Sequence, residues 1–164
     1  MTALEILDTK DFMNKLLLTP TFDHFCLIEA SIATFQTVEI DGRINRDYYS
    51  SEELEELPPY SYWEKIRPFC LQLVKGKRTP LNFRITLSLS PNNIANVLLS
   101  SGLEFTPEQV KGLLLNLKYD GKKVTCITGT SLNIFTMDKR LEQEWDSLAE
   151  KFLKKNQIAS TQLK

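Results

Sequence analysis

Histidine is all but missing from this chain: His24 is the only one in 164 residues, and the three cysteines, Cys26, Cys70 and Cys126, lie far apart. One imidazole and scattered thiols cannot assemble a tetrahedral nitrogen/sulfur metal site. The lack of any Cys-x-x-Cys also removes zinc knuckles and thioredoxin-type redox chemistry. Three cysteines set among apolar neighbours are expected to be reduced, buried thiols that pack as small hydrophobes. Glycine is also scarce, at six residues, which leaves little material for a phosphate-cradling loop. Lys75-Gly76-Lys77-Arg78-Thr79 is close to the end of one, but it follows a helix-like stretch and has no upstream glycine. Long hydrophobic runs are absent. Leu16-Leu17-Leu18 and Leu113-Leu114-Leu115 fall far short of the ~20 residues that a membrane-spanning helix needs. Met1-Thr2-Ala3-Leu4-Glu5 lacks the basic and apolar regions of a secretory signal. The expectation is a cytoplasmic protein with no metal, no cofactor and no membrane partner.

What the chain does have is an uneven distribution of charge. The net is only −1, yet residues 1–60 carry 12 acids against 4 bases, while residues 61–140 carry 5 acids against 12 bases. Such asymmetry marks a surface able to attract a charged partner. With 42% hydrophobic and 25% charged residues, the chain falls in the globular class, and its length suits one domain.

Periodicity divides the chain into a series of elements. A helix is predicted over 10–18, capped by Asp8, with Phe12, Met13, Leu16 and Leu17 on one face. Residues 22–46 read as two or three strands ending at Asp41-Gly42. Residues 47–59, with Glu52, Glu53, Glu55 and Glu56 before Pro58-Pro59, read as a mobile acidic surface loop. Their spacing does not fit a calcium loop. Ser61 and Glu64 read as a capping box opening a helix that Pro68 should kink or split and Gly76 should end. Residues 81–89 alternate, with Leu81, Phe83, Ile85, Leu87 and Leu89 on one face and Arg84 and its neighbours on the other. Ser90-Pro91 opens a helix closing at Gly102, and Thr106-Pro107 opens a short one. Asp120-Gly121 is a hairpin turn between strands 113–119 and 122–128. Gly129 reads as a bulge, followed by a strand over 131–136. Asp138 caps a final helix carrying Leu141, Trp145, Leu148, Phe152 and Leu153, and residues 158–164 read as a frayed tail. The fold class is α+β: one domain over 1–157, with an antiparallel-leaning β-sheet packed against helices and an amphipathic C-terminal helix.

Three constellations bear on function. His24 and Cys26 would share a strand face, but at roughly 7 Å they are too far apart for a hydrogen-bonded dyad. Thr128-Gly129-Thr130-Ser131 offers hydroxyls but only one glycine. The basic cluster is the best candidate. Lys75, Lys77 and Arg78 crowd one turn, Arg84 stands on the polar face of the next strand, and Lys65, Arg67, Tyr62 and Trp63 precede them. Lys118, Lys122 and Lys123 flank the hairpin turn. Cations with aromatics nearby suit a polyanion. Lys75, Lys77, Arg78, Arg84, Arg67 and Trp63 are therefore the predicted ligand-binding residues.

Phe22-Asp23-His24-Phe25, Glu29-Ala30-Ser31, Ile40-Asp41-Gly42, Ile66-Arg67-Pro68-Phe69, Lys75 through Pro80, and Thr128 through Leu132 together resemble segments of an uncharacterised family of small Gram-positive bacterial proteins of unknown function. The resemblance implies a bacterial cytoplasmic protein and carries no catalytic residue with it. The favoured expectation is a non-enzymatic binding module with a basic patch for an anionic partner, either nucleic acid or an acidic protein surface. The alternatives are a carboxylate-based hydrolytic enzyme using Asp23, Glu29 and Asp41, or a homo-oligomer in which the opposed charges pair between copies.

Overall fold

A computed structural model describes residues 1–163 and shows seven strands in a single antiparallel sheet. In chain order the strands are β1 (Ala3–Ile6), β2 (Phe25–Ala33), β3 (Thr37–Asp41), β4 (Asn82–Leu89), β5 (Val110–Tyr119), β6 (Val124–Leu132) and β7 (Ser160–Gln162). The helices are α1 (Thr9–Leu17), α2 (Ser51–Glu56), α3 (Trp63–Val74), α4 (Pro91–Ser101) and α5 (Arg140–Lys155). The spatial order is β3-β2-β4-β5-β6-β1-β7, every neighbouring pair antiparallel. The expected α+β class is therefore observed.

Alternation sends one set of side chains from each strand into a single core. Leu27, Ile32, Phe83, Ile85, Leu87, Leu113, Leu115, Leu117, Val124 and Cys126 are buried there. They meet Phe12 and Leu16 of α1, Trp63 and Cys70 of α3, and Leu141, Trp145, Ala149 and Leu153 of α5. The helices thus cover one face of the sheet, and the alternate side chains are left on the other. Of the five apolar residues expected on the core face of β4, Phe83, Ile85 and Leu87 are buried and Leu89 is partly so. Leu81, just outside the strand, is 67% exposed.

Several local expectations are corrected. The acidic segment is not an irregular loop. Ser50 and Glu53 form a reciprocal capping box that starts α2, a signal masked by the run of carboxylates. The box expected at Ser61 does not form, because α3 begins one residue later with Tyr62 as its cap and no side-chain bond there. Helix α3 runs through Pro68 without splitting. The bulge expected at Gly129 lies instead on β5 between Val110 and Gly112, while Gly129 stays in register opposite Leu114. β6 ends at Leu132, so no separate strand follows. Asp138 is bound to Arg140, and Lys139 occupies the cap of α5. The tail expected to fray is held: Ile158 is buried, and β7 pairs with β1 in the register Leu4 opposite Gln162. Lys164 lies outside the described residues.

Candidate anion-binding face

The antiparallel registers bring polar residues from distant parts of the chain into rows across the uncovered face. In one row Arg84 of β4 sits directly between Ser31 of β2 and Lys118 of β5, and Lys118 is opposite Thr125 of β6. In the next row Thr86 sits between Glu29 and Asn116, with Ile127 beyond. The Thr86 hydroxyl donates to Asn116 Oδ1 at 3.0 Å, and Asn116 Nδ2 donates to the Ile127 carbonyl at 3.2 Å, so the amide is held in one orientation. These rows floor an open groove of about 1000 Å³, walled by Glu39, Asp41, Arg43 and Tyr60 on the β3 side.

Arg84 and Lys118 face each other across neighbouring strands, where side chains stand ~5 Å apart at Cβ and like charges destabilise the pair. Both are exposed, and neither forms an ion pair with any described carboxylate. Of the acids nearby, Glu29 and Glu39 stand exposed in the same groove without an ion pair to any described cation, while two others are engaged by their own cations. Asp41 takes a bidentate contact from Arg43, with bonds of 2.8–3.2 Å, and that guanidinium holds its carboxyl below the usual range. Glu5 is bound to Lys123 at 2.8 Å.

More cations gather at the end of the sheet where β4 begins. Lys75, Lys77 and Arg78 occupy the exposed segment between α3 and β4. This segment is anchored where the Leu81 N–H donates to the Ala33 carbonyl at 2.9 Å. Gly121, in the β5–β6 turn, approaches the Leu81 carbonyl so closely that an added Cβ would lie 3.0 Å from it. The turn therefore adjoins the basic segment. Asp120 accepts the N–H groups of Lys122 and Lys123 at 2.8 Å each, so its charge lies against the backbone; the exposed Lys122 side chain projects, while Lys123 turns back to Glu5.

The other two predicted ligand-binding residues sit elsewhere. Trp63 is completely buried, with its indole N–H donating to the Leu16 carbonyl at 2.9 Å. Arg67 grips the buried Asp23 with bonds of 2.8 and 2.9 Å, and it also donates to the Leu17 carbonyl. Both side chains hold α3 against α1 and the turn that precedes β2 instead of reaching the open face. Sequence reasoning placed Lys118 near the cluster but missed its position opposite Arg84. That register depends on β4–β5 pairing across the intervening α4, which no turn motif encodes.

The other constellations come apart. His24 is exposed in the turn before β2, and Cys26 is buried. Asp23 is tied to Arg67 at the helical layer, away from Glu29 and Asp41, which are opposite each other on β2 and β3. No group of three or more His, Cys, Asp or Glu among the described residues could hold a metal. Burial pushes the thiols of Cys26, Cys70 and Cys126 up from 9.0 to about 11, 12 and 12. All three should resist Ellman's reagent at pH 8 in the native protein and react together in guanidinium; rapid native labelling would contradict this burial. Because the folded-state values are raised, the stability linked to these thiols is intact below about pH 9. It falls as pH rises from there towards 11–12, where only the unfolded chain loses its protons readily.

A seven-stranded antiparallel sheet with helices on one face and a partly cationic groove on the other defines the class of this protein. Within that class the chain belongs to DUF5721, a family of unknown function, whose match covers residues 15–160 and so includes every residue of the groove rows on β2 through β6. No curated protein and no solved structure matches the chain. None of the helices among the described residues is long and apolar enough to cross a membrane.

Proposed function

We propose that this protein is a non-enzymatic binding module whose uncovered sheet face takes an anionic partner. The observation that carries this reading is the Arg84–Lys118 pair: two cations directly opposite each other, exposed and without a carboxylate partner. Like charges placed directly opposite each other oppose folding. An anion bridging them reverses the sign of that interaction. Ser31, Asn116 and Thr125 add hydroxyl and amide groups beside the cations. Lys75, Lys77, Arg78 and Lys122 extend the positive field along one end of the sheet, where it steers an incoming anion.

Retention on immobilised heparin tests the reading. The wild-type chain is expected to bind at 50 mM salt despite its pI of about 5.9, with log affinity falling linearly against log salt. The Arg84→Ala/Lys118→Ala double variant removes two contacts and should lower the slope by roughly 1.4–1.8. Both substitutions are at exposed positions, so thermal unfolding should be unchanged or slightly improved. Retention that is absent in the wild type, or identical in the double variant, refutes the proposal.

A further inference from the structure

We infer that the anionic partner is a single-stranded nucleic acid and that Phe35 is the platform on which one of its bases stacks; this rests on the reading of the cationic face given above. Phe35 is 92% exposed at the tip of the β2–β3 turn, which is closed by the Thr34 N–H donating to the Gln36 carbonyl at 2.9 Å. The ring makes no use of the core, and a polar residue would serve the turn equally well. Its position is what gives it meaning. Ala33, two residues earlier, pairs with Asn82 and receives the Leu81 N–H, so the turn stands beside the start of β4. That is the end of the sheet where Lys75, Lys77, Arg78 and Lys122 project. Arg84 lies one strand across and a few residues along, roughly 10–15 Å away by strand spacing and rise. An aromatic side chain flanked by cations is how single strands are held without base pairing, at site sizes of about 4 nucleotides and upward.

The rest of the face separates a single strand from the other polyanions. Glu29 and Glu39 stand on β2 and β3 beside the cations, unpaired with any described base. They would repel an acidic protein surface laid over the whole face. A single strand instead presents its phosphates on one side and exocyclic amino groups on the other, and carboxylates accept from such amino groups. The phosphates would follow Arg84 and Lys118 towards the β5–β6 turn, with bases directed at β2, β3 and Phe35. A duplex hides its base faces within the stack and gives Phe35 nothing to contact.

Fluorescence anisotropy with a labelled mixed-sequence 12-mer, its duplex, and an acidic peptide of equal charge provides the test. The single strand is expected to bind best. Phe35→Ala should weaken it roughly 5- to 150-fold, the effect of losing one base–aromatic stack. The salt slope should not move, because no phosphate contact is lost. Phe35→Trp should restore or tighten binding, which a purely structural role for the residue would not produce. Since Phe35 touches little, both variants should fold normally by circular dichroism. Equal affinity for single strand and duplex, tighter binding of the peptide, or a Phe35→Ala variant indistinguishable from wild type overturns this inference. Heparin retention that depends on Arg84 and Lys118 would survive any of those results, so failure of the nucleic-acid assignment is distinguishable from failure of the anion-binding face itself.

Discussion

Replacing Gly42 with alanine is expected to cost at least about 3 kcal/mol, the upper end of what overpacking a tight site does. A Cβ built on Gly42 would sit 1.8 Å from the Leu27 carbonyl oxygen, 2.6 Å from its carbon and 2.9 Å from the Ile28 oxygen. These are backbone atoms of a central strand and cannot swing aside. The contact is close because Gly42 seals the irregularity in β2 between Leu27 and Glu29, where the register with β4 shifts by one residue. The Gly42 N–H donates to the Ile28 carbonyl at 2.9 Å, and its carbonyl accepts from the Ser61 N–H at 2.8 Å. Leu27 in turn donates to the Ser61 carbonyl at 2.7 Å. The substitution would pry apart three chain segments at once. By the usual scaling for a chain of this size, the loss corresponds to a fall in melting temperature on the order of 10 °C. Gly129→Ala is the matched control. Its Cβ would meet only side-chain atoms at 3.5 Å or more, so it should shift the urea midpoint little. A Gly42→Ala midpoint within error of wild type would disprove the tight packing.

The second large effect is expected at Arg67. Truncation to alanine strands the Asp23 carboxylate, whose side chain is only 9% exposed, without the guanidinium that neutralises it. Removing one partner of a pair this well buried costs about 3–5 kcal/mol, most of it the cost of the remaining uncompensated charge. The lower end applies here, because the Arg67 side chain retains 20% exposure. The double variant Asp23→Leu/Arg67→Met removes both charges and should recover most of the loss. Urea unfolding of the two singles and the double closes the cycle. An Arg67→Ala variant destabilised by less than about 1 kcal/mol would show that solvent already screens the pair. The same measurement therefore tests whether this arginine, expected from its sequence neighbours to face a partner, is held at the helical layer by Asp23.

The fold was legible wherever the signal is local. Asp120-Gly121 fixed the β5–β6 hairpin. Ser90-Pro91 and Gly102 bounded α4, and Asp8 caps α1 as its side chain suggested. Alternation over 81–89 identified both the buried Phe83, Ile85 and Leu87 and the outward Arg84. What escaped is what depends on distant partners. β1 and β7 are four and three residues long, and they become strands because each finds an edge to pair with. Their sequences contain too few residues to show a period of two. The candidate site was half legible for the same reason. Clustering along the chain pointed correctly to an outward Arg84 and an exposed Lys75, Lys77 and Arg78. It could not show that α3 buries Trp63 and ties Arg67 to Asp23 at the helical layer, or that Lys118 arrives opposite Arg84 from beyond α4.

The pairing of β1 with β6 also constrains how the chain is made. Thr2 and Thr128 are hydrogen-bonded to each other although 126 positions separate them. At 5–20 residues per second, a ribosome would leave the first strand without its neighbour for on the order of 6–25 s. During that interval Leu4 and Ile6, later sealed in the core, are open to any chaperone or to a neighbouring nascent chain. Slow codons placed before β6 would lengthen that exposure and lower the yield of folded protein, while the same codons placed after it would not.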